Sequence, residues 1–173
     1  MSVVASRERA RPRTGRGHAV VPHTADAGIR ATAADLPSLF EEAAAALAGL
    51  AAEVRAGSEP TIWEDVTLGA GDVVALAYAW LNELVTLGEV HHGVAAVTRV
   101  ERAEGPVAAT RGEPPGGPVI GPAADAWRLS GRVGIVPYGD GARPIRSVKS
   151  ATYHGLAVER RGQAWTMLAY LDI

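Results

Sequence analysis

Residues 72–90 read DVVALAYAWLNELVTLGEV, and this stretch decides the fold. Val73, Ala77, Trp80, Leu84 and Leu87 recur on one stripe at helical spacing, with Val74, Leu81 and Val85 beside it. Asp72 stands where an N-cap carboxylate accepts the first free backbone N–H groups, so the spacing predicts a helix ending around His91-His92-Gly93. An apolar face this broad is expected to pack onto a sheet.

Upstream, Asp35 offers another N-cap, and Pro37 falls in the first turn, where its missing N–H does no harm. Leu36, Phe40, Ala43, Leu47, Leu50 and Val54 then follow the helical period, which predicts an amphipathic helix ending near Gly57. Extended pieces are expected at residues 18–21 and 28–32, broken by Pro22 and the polar HTAD that follows it. Ile62, Val66 and Leu68 alternate through residues 61–68 before a Gly69-Ala70-Gly71 turn, and further strands are expected at 94–102, 127–137, 147–159 and 164–173. Strands, helix, strand, helix and then a run of strands is an α+β pattern rather than a βαβ alternation. Two layers are expected, with both helices on one face of a mainly antiparallel, mixed sheet.

The chain has 173 residues, 47% of them hydrophobic, enough for one core. Five arginines against Glu8 leave residues 1–17 at +4, and these residues read as a mobile Arg-rich arm before a single domain at 18–173. That domain carries 12 cationic against 18 acidic side chains, a sign better matched to a cation or a basic partner surface than to a phosphate backbone. Residues 105–126 alternate prolines and glycines and are expected to form an exposed loop. Without an apolar secretory segment at the N-terminus or a run approaching roughly 20 apolar residues, a cytoplasmic protein is expected.

There is no cysteine, so any metal must sit on oxygen or imidazole. Three places carry chemistry. In His23-Thr24-Ala25-Asp26, a carboxylate and an imidazole project from a break between extended segments; Asp26 reads as a hard-cation ligand or as an Asx-turn. At the end of the sequence, Asp172 stands one residue from the final carboxylate of Ile173, and two like charges so close repel unless a cation compensates them. A divalent ion or an arginine would serve. Lys149 is the only lysine among 17 cationic residues, which suggests a position that wants a compact ammonium rather than a planar guanidinium. His91 and His92 read as helix-capping residues, and His154 alternates with Thr152 along a strand.

HTADAGI at 23–29, VKSATYHGL at 148–156, the terminal LDI and the helical AWLNELV at 79–85 make the chain resemble the archease family, in the right order over residues 18–173. The resemblance implies an accessory protein, not an enzyme. It implies a partner, an RtcB-type RNA ligase, whose guanylylation and repeated turnover the protein promotes in tRNA splicing or RNA repair. It also implies a bound divalent cation, Ca²⁺ or Mg²⁺, on Asp26, Asp172 and an oxygen of Ile173, with Lys149 as the activating residue and His23 and His154 as candidate neighbours of the site. GTP and RNA ends would be met only through the ligase. Ser147 and Ser150 depart from the family, which commonly has an acidic residue two before the lysine and alanine after it. The residues by themselves leave open a metal-dependent hydrolase on the same carboxylates, or an RNA-binding or chaperone adaptor.

Overall fold

A computed structural model of the chain describes residues 16–22, 27–106 and 127–173. Strands β1 (Gly17–Pro22) and β2 (Ala27–Ala33) lead into helix α1 (Leu36–Ala51), short strand β3 (Ala52–Val54) and strand β4 (Ile62–Ala70). Helix α2 (Val73–Val90) follows, then β5 (Gly93–Glu104), β6 (Trp127–Pro137), β7 (Ala142–Pro144), β8 (Ser150–Arg161) and β9 (Ala164–Asp172). The strands pair in the orders β1-β2-β9-β8, β4-β6-β5 and β3-β7, and every pairing between these strands is antiparallel. The expected α+β architecture is what the chain forms, with its strands divided among three sheets.

Both helices begin where their caps predict. Asp35 accepts the Ser38 N–H at 2.8 Å and Asp72 accepts the Ala75 N–H at 2.7 Å, each satisfying a donor that the first helical turn leaves free. Helix α2 ends at Val90 as its stripe implies. By length and composition alone it would pass for a membrane-spanning helix, yet Leu76, Ala77, Trp80, Leu81 and Leu84 are buried in the core. Helix α1 stops at Ala51, earlier than the expected end near Gly57. Ala52 turns extended and the chain enters β3, where Val54 pairs with Ala142 instead of continuing the apolar stripe.

Phe40, Leu39, Trp80, Leu76 and Leu81 from the helices meet Ile29, Leu129, Ile135, Met167 and Leu171 from the strands in one apolar core. Each such side chain contributes about 1.5–3 kcal/mol when fully buried. The Trp80 indole also donates to the Phe40 carbonyl at 3.0 Å, which fixes α2 against α1 while satisfying a buried N–H. Strand β4 runs through the expected turn to Ala70, because Gly69 and Ala70 pair with Arg128 and Trp127. β7 lies between two expected strands and is only three residues long.

Candidate functional site

The central strands β2 and β9 of the first sheet bring three distant segments together. Ala27 pairs with Leu171, so the first described residue of β2 lies beside the residue before Asp172. On the other side of β9, Ser150 pairs with Asp172, and the Lys149 N–H donates to the Asp172 carbonyl at 2.8 Å. Backbone pairing thus sets Lys149 against the end of β9 whatever its side chain does.

The side chains then converge. The Lys149 ammonium donates to the Ile173 carbonyl oxygen at 3.2 Å and lies 3.9 Å from Asp172 Oδ1. Both side chains are more than half exposed, so their attraction is screened and contributes little to stability. The geometry holds an ammonium over a carboxylate and a main-chain oxygen in contact with solvent. Of the residues singled out in the sequence, Lys149, Asp172 and Ile173 are brought together. Asp26 and His23 lie outside the described residues.

Two contacts from α2 position the start of β8. Asn82 Oδ1 accepts the Ala151 N–H at 3.0 Å and its Nδ2 donates to the Ala151 carbonyl at 3.5 Å. One turn back, Tyr78 stacks on Tyr153 with centroids 4.0 Å apart and planes 14° from parallel. Neither α2 residue was singled out in the sequence, although Asn82 is a polar residue within a broadly apolar helix. Beyond Thr152 the β8–β9 register breaks until Ala157. Within that break Gly155 has φ +67°, and a Cβ on it would stand 2.6 Å from the Tyr170 ring, so only glycine fits. His154 is exposed in the same segment, its ring tilted toward Tyr170 at 6.5 Å. His91 caps α2 and places Nε2 2.9 Å from Glu64.

The donors at the end of β9 are oxygens, the set hard divalent cations select, and the nearby Lys149 ammonium shows that they attract positive charge. Among the described residues no group of three His, Cys, Asp or Glu side chains could hold a metal. A divalent ion at this end of the sheet would need a further ligand such as Asp26.

A family model described as the Archease protein family (MTH1598/TM1083) matches residues 18–173. Two curated relatives are each called protein archease. The one from Methanopyrus kandleri is 27% identical over 157 residues, covering 88% of this chain and 96% of its own. The one from Thermococcus gammatolerans is 28% identical over 139 residues, covering 80% and 84%. The solution structure of protein 1598 from Methanobacterium thermoautotrophicum has a TM-score of 0.68 at 22% identity, covering 91% of this chain and 99% of that one. A crystal structure from Thermotoga maritima, described as an archease and possible chaperone, has a TM-score of 0.50 at 14% identity, covering 95% and 100%. At such identities these two structures speak for the fold alone.

Proposed function

The chain belongs to the archease family, and from that membership we propose that it is a metal-binding accessory protein that promotes guanylylation and multiple turnover of an RtcB-type RNA ligase. In this reading it acts in the cytoplasm on tRNA splicing or RNA repair, and it is not itself the enzyme. Residues 18–173 are the working domain in this reading; the expected Arg-rich arm at 1–17 and loop at 105–126 fall almost wholly outside the described residues.

The observation that carries the reading is the Lys149 ammonium seated 3.2 Å from the Ile173 carbonyl and 3.9 Å from Asp172, at the point where β2 enters the sheet beside Leu171. Ala27, bonded to Asp26, pairs with Leu171, bonded to Asp172. This supports Asp26, Asp172 and the Ile173 main-chain oxygen as the holders of one Ca²⁺ or Mg²⁺, with His23 and His154 as neighbours. A divalent ion bound there would supply charge stabilisation to a nucleotide whose phosphates are being transferred. Lys149 would turn its ammonium from the Ile173 oxygen toward a phosphate or a ligase carboxylate, a movement that its exposure permits. Asn82 and the paired backbone of Asp172 hold the strand from which Lys149 acts.

The test is a guanylylation assay of a purified RtcB-type ligase with GTP, with and without this protein. Faster loading and repeated turnover in its presence support the reading. A ligase indifferent to it would refute accessory function.

A further inference from the structure

The face of the β4-β6-β5 sheet turned away from the helices carries the opposite charge character to the acidic body. Across its three strands Asp65 pairs with Arg132 and Arg132 with Arg99; Thr67 pairs with Ser130 and Ser130 with Arg102; Gly69 pairs with Arg128 and Arg128 with Glu104. Four arginines therefore share this face with Asp65, Glu104 and the exposed bulge residue Glu101, and Arg102 lies 3.6 Å from Glu104, whereas Leu129 and Val133 of β6 point into the core.

Arg99 and Arg132 stand directly opposite one another, a like-charge pairing that costs stability unless something compensates it. Part of the compensation is visible. Arg132 Nε lies 2.9 Å from Asp65, and both guanidinium carbons lie over the Trp63 ring, Arg132 at 5.3 Å and Arg99 at 5.7 Å from its centroid. Among the described residues Arg99 forms no salt bridge within 4.0 Å. Trp63 is 37% exposed, and its indole reaches across Gly134, where any Cβ would stand about 3.0 Å from its ring and 2.7 Å from Pro60. A large, partly exposed aromatic side chain is thus held at the sheet surface beside Gly134 and two arginines.

We infer that this face binds single-stranded nucleic acid, with Trp63 as a stacking platform for a base and Arg99 and Arg132 receiving the adjoining phosphates. Antiparallel sheets that combine an aromatic ring with cationic side chains bind unpaired strands in this way, because every base has a π-face and every linkage a charge. An acidic polypeptide would use the arginines and offer the exposed part of the indole no ring to stack on. The inference does not rest on the ligase reading and uses none of its residues.

The experiment is a fluorescence-anisotropy titration of the full chain with a labelled 12-nucleotide oligoadenylate at several salt concentrations. Trp63→Leu should weaken binding by about tenfold or more, and Trp63→Phe should retain most of it. Arg99→Gln with Arg132→Gln should flatten the salt dependence by about 1.4 log units per log of salt, the release from two single-strand phosphates. Absent binding, or binding indifferent to all these variants, overturns the inference. So does loss with the arginines but not with Trp63→Leu, or equal affinity for polyglutamate, either of which would mark a surface for acidic protein. Crosslinks from a 4-thiouridine oligonucleotide give a reading independent of variant folding: on β4 and β6 they support the site, and confined to residues 1–17 they overturn it.

Discussion

Asn82 grips the Ala151 peptide from both sides, accepting its N–H at 3.0 Å and donating to its carbonyl at 3.5 Å, and so ties helix α2 to the strand that Lys149 precedes. Asn82→Ala leaves those backbone groups without their partner in a partly buried place. The expected loss is about 1–3 kcal/mol in denaturant unfolding. Ligase guanylylation should fall further than the lost stability explains, since Lys149 stands two residues from the released peptide.

Lys149→Arg should keep stability within about 0.5 kcal/mol of the parent, as exposed substitutions usually do. Activation of the ligase should nonetheless be mostly lost. A planar fork cannot replace a compact ammonium 3.2 Å from the Ile173 oxygen and still turn to a second acceptor. Full activation by the variant in the guanylylation assay would make the lysine dispensable.

Asp172→Asn preserves shape and removes charge, so the fold should survive while calorimetric titration shows weakened Ca²⁺ or Mg²⁺ binding. Asp26→Asn should behave alike if one ion is shared. Undiminished binding in both proteins would remove these carboxylates from any metal site.

Glu42 makes a pH-dependent contribution. Burial alone would raise its pKa, but hydrogen bonds from His18 and Arg16, with their charge, overcome this and hold it below the ordinary 4.5. A depressed carboxylate stabilises the fold above its unfolded value, and that contribution is lost as pH falls through the folded value. Glu42→Gln should therefore unfold more readily than the parent at pH 7, and the two melting curves should converge in acid below pH 4.5. A difference that persists undiminished there would show that the carboxylate charge is not its source.

What was legible in the sequence was local. Asp72 and the stripe through Trp80 and Leu84 define α2 because a cap and a 3.6-residue period lie within one segment. The end of α1 was not legible, since Ala52 leaves the helix to pair with Pro144, far along the chain. The motifs marked Asp172 as a metal ligand and Lys149 as the activating residue, but their contact depends on the register of β8 against β9, which no short-range signal encodes. Asn82 and Tyr78 were hidden by their helix: a polar or aromatic residue there reads as surface or core until its cross-sheet partner is known.

The interrupted register of β8 between Thr152 and Ala157 has a consequence for behaviour at high concentration. β8 closes one end of its sheet, and a regular twelve-residue strand in that position would offer a ladder of free N–H and C=O groups to any neighbouring molecule. The irregular stretch, fixed by Gly155 beneath the Tyr170 ring, disrupts the even spacing such a ladder needs. The same stretch that carries the exposed Tyr153 and His154 thus makes this edge a poorer template for a strand of a neighbouring molecule.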